Sequence, residues 1–155
     1  MTNPILRMTM RTSLTRRAGA LLLLFAAAAC SPTDADTFRA PGILELYQTL
    51  AETAVPATAV VGQPFQVVVH TFGPNGCFSA GNTEVVKTAT AVEISPFDLV
   101  RQGSGACNDL VYELRHEVQI VFNQPGTAMV RFHGVREPNG GIVTVTRTVD
   151  VQPAS

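Results

Sequence analysis

The stretch LVYELRHEVQIVF at residues 110–122 decides the fold class, because its side chains alternate in character with a period of two. The even positions from Leu110 to Phe122 are apolar or aromatic except for His116, whereas the odd positions between 113 and 119 are polar or charged. A strand with one buried and one solvated face has this period. A helix would carry charge on every side, so the stretch predicts a half-buried β-strand.

The same period recurs along the chain and predicts about eight strands. The other runs are residues 43–47, 57–61, 65–69, 86–94, 98–101, 128–132 and 143–151. Turns rich in glycine, proline and asparagine separate them, and PNGG at 138–141 predicts a β-hairpin. Only residues 46–53 suggest a turn or two of helix. Short strands without crossover helices predict an all-β, antiparallel sandwich.

The segment VVGQPFQVVVHTFG at residues 60–73 resembles the opening of many bacterial immunoglobulin-like domains. In those domains a short first strand ends at glycine, and a strongly apolar second strand enters the core. The resemblance covers about residues 60–151 and implies an immunoglobulin-like sandwich. The expected domain is an antiparallel sandwich of about seven to nine strands over residues 41–155, and a cleaved signal helix is expected before it. The buried tryptophan of antibody domains has no counterpart here, because the sequence contains no tryptophan.

An apolar run, LLLLFAAAAC at residues 21–30, follows a basic N-terminus. The run extends from Ala18 to Cys30, which is shorter than the roughly 20 residues that a membrane span needs. Arginines at positions 7, 11, 16 and 17 precede it, and no acidic residue comes before Asp34. This arrangement is typical of an export signal. Translation starting at Met1, Met8 or Met10 is compatible with it.

The last four residues of that run, Ala27-Ala28-Ala29-Cys30, resemble the lipobox of bacterial lipoproteins. The resemblance implies that residues 1–29 are removed and that Cys30 is acylated. The chain would then be anchored to a membrane of the bacterial cell envelope, at the outer membrane or the periplasmic face. Residues 30–40 would form a flexible tether. A plain secretory signal with an A-x-A cleavage site is the alternative.

The charge of the mature chain differs from that of the whole chain. All twelve acidic residues lie beyond Cys30, but only seven of the eleven basic residues do, so the mature net charge is −5. A nucleic-acid-binding domain normally carries a basic surface. No nucleic-acid partner is therefore expected.

Two further cysteines, Cys77 and Cys107, form an even pair once Cys30 is acylated. In an oxidising compartment such a pair predicts a disulfide. Each lies among turn-forming residues, so the bridge should join the loops 73–83 and 102–109 at one end of the domain. A Cys/His metal site is disfavoured, because the chain contains no C-x-x-C motif.

Loops held by a disulfide are preorganised for recognition. Phe78 and Asn82 are therefore candidate binding residues, although Phe78 could instead cap the core over the bridge. No enzyme and no cofactor are expected, because no serine lies in a G-x-S-x-G motif and the carboxylates Asp98, Glu113 and Glu117 are predicted on solvent faces or turns.

Three histidines complete the set of candidate residues. Strand parity places His70 and His133 on outer faces, whereas His116 shares its parity with the core. The prediction is a non-catalytic binding or structural module that contacts an envelope protein or glycan. The alternative is a periplasmic small-ligand or metal-binding protein that uses His70 and His133.

Overall fold

The computed structural model describes residues 37–103 and 105–154, and the predicted signal, Cys30 and residues 31–36 of the tether lie outside this part. Within it the regular elements are all strands, which confirms the all-β prediction. The strands are β1 (Thr37–Pro41), β2 (Ile43–Leu46), β3 (Thr49–Leu50), β4 (Thr53–Ala54), β5 (Thr58–Val60), β6 (Phe65–Gly73), β7 (Phe78–Lys87), β8 (Ala91–Arg101), β9 (Tyr112–Ile120), β10 (Gly126–Glu137) and β11 (Ile142–Gln152).

The strands form two sheets that differ in pairing. In the larger sheet the order is β1-β8-β10-β11-β5, with β2 and β3 continuing beside β10 and with β7 beside β8. The smaller sheet has the order β4-β6-β9 and is antiparallel throughout. The larger sheet is mixed, because β10 runs parallel to both β8 and β2, and β11 runs parallel to β5. The prediction of a purely antiparallel arrangement was therefore wrong.

The chain order explains the parallel pairing of β8 with β10. Between these strands the chain passes through β9, which belongs to the other sheet. A crossover of this kind brings the chain back to the same edge in the same direction, as a parallel pair requires. Residues 138–141 connect β10 and β11 directly, and this hairpin confirms the prediction from PNGG.

A shared apolar core lies between the two sheets. The larger sheet contributes alternate residues such as Val130 and Phe132, and the smaller sheet contributes Val67, Val69 and Ile120, each at most 1% exposed. Apolar and polar side chains therefore alternate along β10 and β11 because one face of each strand is buried in the core, as the sequence predicted.

Two strand boundaries differ from the prediction. Residues 86–94 were expected to form one strand, but the chain turns at 88–90 to connect β7 with β8. The Thr88 hydroxyl accepts a hydrogen bond from the Ala91 amide at 3.0 Å. This hydrogen bond closes a turn that contains neither glycine nor proline. Because the alternation continues through the turn, the period of two did not reveal it.

The N-terminal part of the domain also departs from the prediction. Residues 37–40 were expected to belong to the tether, but they form most of β1 and pair with β8. Residues 46–53 form no helix, because Tyr47 and Gln48 have positive φ angles and turn the chain between β2 and β3. Gly42 joins β1 to β2, and a Cβ at this position would collide with the side chain of Thr71.

Candidate functional site

The predicted disulfide is present and ties together one end of the domain. Cys77 and Cys107 are bonded, with their Cα atoms 5.4 Å apart. The first of the two predicted loops is shorter than expected, because β7 begins at Phe78. The bridge joins the turn before β7 to the irregular segment that precedes β9. We call residues 74–78, 101–103 and 105–112 the bridged end.

Hydrogen bonds fix the backbone around the bridge. The Cys77 amide donates to Asn75 Oδ1 at 2.9 Å, and the Gly76 amide donates to the Asn108 carbonyl at 3.0 Å. Asn108 in turn donates through Nδ2 to the Tyr112 hydroxyl at 2.8 Å. The segment that leads into β9 is therefore held in a defined conformation by a covalent bond and by several hydrogen bonds.

The two residues predicted as binding residues of this loop have different surroundings. Phe78 is half-buried and packs against the apolar core, so it caps the core beside the bridge. Asn82 is exposed on β7, within the irregular pairing between Ala80 and Thr83. Only Asn82 is thus presented to solvent as an exposed residue.

Exposed apolar side chains occur at the bridged end where the sequence suggested buried ones. Leu110 is 63% exposed and Tyr112 is 38% exposed, although their parity with the core predicted that both point inward. Val111 is 52% exposed as well. The pairing of β9 with β6 ends at Tyr112 and Gly73, so residues before Tyr112 have no facing strand to cover them. Strand parity alone could not show where this pairing stops.

A buried polar cluster lies between the sheets and corrects the prediction for Asp98. The Asp98 side chain is fully buried, and its Oδ1 lies 3.0 Å from His116 Nε2. The Thr71 hydroxyl donates to the same oxygen at 3.0 Å. Asp98 belongs to the larger sheet and the other two residues to the smaller one, so the cluster joins the sheets. The prediction that Asp98 faces solvent was wrong, because alternate residues of β8 point into the core.

This cluster contains the residue types of a hydrolytic triad without its arrangement. In a triad the imidazole uses one nitrogen for the nucleophile and the other for the carboxylate. Here Thr71 and Asp98 both approach Nε2, while Nδ1 faces the Thr83 hydroxyl at 3.3 Å. His116 is 3% exposed. The arrangement is suited to holding the two sheets together, since Asp98 Oδ1, the Thr71 hydroxyl and both His116 nitrogens have partners within it, whereas Asp98 Oδ2 has none.

A second polar cluster lies on the outer face of the larger sheet. Glu93 on β8 accepts hydrogen bonds from His133 Nε2 and, at 2.6 Å, from Arg131 on β10. The hydrogen bond from His133, and then that from Arg131, holds the pKa of the Glu93 carboxyl below its usual value of 4.5. His133 Nδ1 faces Thr144 Oγ1 at 3.2 Å. These contacts fix the orientation of the His133 ring.

An apolar recess of about 200 Å³ opens beside this cluster. His133 contributes to its wall, together with Pro41, Phe97 and Ile142. Ile142 is among the most exposed apolar side chains of the described residues. The recess thus combines an apolar lining with one imidazole, whose two nitrogens contact Glu93 and Thr144.

The structure does not bring His70 and His133 together. His70 is half-buried on β6 of the smaller sheet, whereas His133 lies on β10 of the larger sheet. Both face away from the core, so the thickness of two packed sheets separates them. Among residues 37–103 and 105–154, no group of three or more His, Cys, Asp or Glu side chains is placed to hold a metal ion.

Comparison with known proteins adds no further assignment. No family model, no curated protein and no solved structure matches the chain. In the part of the chain that the structure describes, no helix has the length and apolar character needed to cross a membrane.

Proposed function

We propose that the chain is an exported bacterial lipoprotein, in which an acylated Cys30 anchors an immunoglobulin-like domain at the cell envelope. The domain acts there as a non-catalytic binding or structural module. Its partner is an envelope protein or glycan, and the acidic mature chain is unsuited to nucleic acid.

The disulfide between Cys77 and Cys107 is the observation that carries this proposal. Structural disulfides form and persist in oxidising compartments such as the bacterial periplasm, and they are rare in the cytosol. The sequence contains three cysteines, so the bridge leaves Cys30 as the remaining thiol. Acylation of Cys30 removes a thiol that would otherwise be unpaired in that compartment.

The immunoglobulin-like assignment is supported by two sheets that enclose one core and by the hairpin of β10 and β11. The parallel pairing of β8 with β10 departs from the antiparallel pattern of such sandwiches. The domain is therefore proposed as a variant of that architecture with a mixed larger sheet.

Membrane fractionation of the full chain and of a Cys30→Ser variant tests the anchor. The unmodified chain should stay in the membrane fraction after a carbonate wash, and its N-terminal peptide should carry the mass of acyl chains on Cys30. The Cys30→Ser variant should be released, while a Ser31→Ala control should remain bound. Retention of the Cys30→Ser variant after the wash, with removal of residues 1–29 confirmed by mass, would refute acylation at this residue.

A small-ligand-binding protein is the second candidate, and the recess beside His133 is the observation that favours it. Zinc and copper are simple probes for a ligand site at His133, because imidazole binds both metals. A rise in melting temperature on adding either metal, lost in a His133→Asn variant and retained in a His70→Asn variant, would support it. No shift with either metal would exclude a metal site at His133.

A further inference from the structure

Apolar side chains are exposed together at the bridged end and at the neighbouring start of β1. Leu110 and Val111 are 63% and 52% exposed, and Phe38 is 45% exposed. Single exposed apolar residues are common on protein surfaces, but a group of them at one end indicates a contact surface. The disulfide and its surrounding hydrogen bonds hold Leu110 and Val111 in place, so the surface is preorganised.

The chain enters the domain at this same end. Thr37, the first residue of β1, pairs with Arg101 of β8. On the other edge of β8, the Arg101 amide donates to the Cys77 carbonyl at 3.0 Å. Thr37 and Cys77 thus lie on either side of one strand, about 10 Å apart from the spacing of neighbouring strands.

Thr37 is the seventh residue after Cys30 in the sequence. Seven residues span at most about 25 Å even when they are fully extended. Ala91, at the opposite end of β8, lies about 33 Å from Arg101, the residue that pairs with Thr37, because ten residues at the usual rise of a strand separate them. A lipid anchor at Cys30 would therefore hold Thr37, at the bridged end, within about 25 Å of the bilayer, a distance shorter than β8.

We propose that the bridged end rests on the bilayer that holds the Cys30 anchor, with Leu110 and Val111 entering its interfacial region. The inference depends on the proposed acylation of Cys30. Apolar side chains and not charge provide this contact, since the mature chain is acidic and Asp109 lies beside Leu110. Zwitterionic lipid is therefore sufficient, and the contact adds to the anchoring by the acyl chains.

A tryptophan probe tests the contact, because the sequence contains no tryptophan of its own. The Leu110→Trp variant places an indole at the proposed contact. The Val86→Trp variant is its matched control, since Val86 is 62% exposed but lies at the far end of β7 from the bridge. Both full chains are produced with their acyl anchor, confirmed by mass, and reconstituted in vesicles of phosphatidylcholine that include brominated lipid.

Bromine on the acyl chains should quench the indole of the Leu110→Trp variant about threefold more than that of the Val86→Trp variant, because only the former enters the acyl boundary. Hydrogen exchange of the unmodified anchored chain is an independent measurement. Amides of residues 105–112 should exchange more slowly in vesicles than in detergent, while those of residues 84–90 should not change.

Three results would overturn the proposal, and they differ from one another. Equal quenching of the two variants in acylated protein refutes the contact and leaves the anchor intact. Protection of residues 105–112 that rises with protein concentration, without quenching, assigns the surface to a second copy of the chain. Absence of acyl chains on Cys30 refutes the anchor and the membrane contact together.

Discussion

Replacement of Asp98 by asparagine should destabilise the domain strongly, because the carboxylate is fully buried between the sheets. Its Oδ1 receives hydrogen bonds from His116 and Thr71, both at 3.0 Å. Asparagine keeps an acceptor oxygen but weakens both hydrogen bonds by removing the charge, and its NH2 group takes the place of Oδ2, which has no hydrogen-bond partner among the described residues. The loss of charge-assisted hydrogen bonds together with a buried unsatisfied donor costs about 3 kcal/mol. The Asp98→Asn variant and a His116→Gln variant should each lower the free energy of unfolding by about this amount.

The double variant distinguishes a specific pair from two independent buried groups. Asparagine and glutamine can hydrogen-bond to each other, so the Asp98→Asn/His116→Gln variant should lose about 4 kcal/mol rather than about 6. The coupling between the two sites would then be about 2 kcal/mol, within the range that residues in contact show. Urea titration of the oxidised protein, followed by circular dichroism, measures each free energy.

A matched control is the Glu93→Gln variant, because Glu93 also faces a histidine but lies on the outer face. Partly exposed pairs contribute less, typically under about 1 kcal/mol. Additive losses in the double variant, or a loss in the Asp98→Asn variant no larger than in the control, would refute the view that the cluster joins the sheets.

Two further predictions concern the bridge and the outer cluster. A Cys77→Ser/Cys107→Ser variant should lose about 3.6 kcal/mol, the chain-entropy value for a loop of about 30 residues; unchanged stability in urea would contradict this. The folded state holds the pKa of Glu93 below 4.5, so the ionised carboxylate stabilises the fold above that pH and loses this effect as the pH falls. The difference in stability between the unmodified chain and the Glu93→Gln variant should therefore shrink below about pH 4.5, and a difference that is independent of pH would contradict the assignment.

The period of two predicted the strands correctly where one face of a strand meets the core. The alternation in β10 and β11 arises from burial of Val130, Phe132 and Val149, and apolar burial is the largest favourable contribution to folding. The hairpin at 138–141 was predictable because asparagine followed by glycine strongly favours a tight turn between two strands. The disulfide was predictable from the count of cysteines and from the turn-forming residues on either side of each.

Properties that depend on contacts between distant segments were not predictable in this way. Parity shows which face a residue occupies, but it does not show which strand lies beside it, so the parallel pairing of β8 with β10 was missed. The turn at Thr88 was missed because a threonine hydroxyl serves where glycine or proline was expected. Asp98 was placed on the surface because it is charged, and its partner His116 comes from the other sheet.

The exposed apolar residues and the buried polar ones have a common cause in how the core ends. Along β6 the inward positions change from Val67 and Val69 to Thr71, and then the strand ends at Gly73. Along β8 they change from Val92 and Ile94 to Asp98, close to the bridge. The apolar core thus gives way first to a polar cluster and then to a disulfide. Within residues 37–103 and 105–154, Leu110 and Val111 lie past this end of the core and stay exposed, so a surface outside the described residues is needed to cover them.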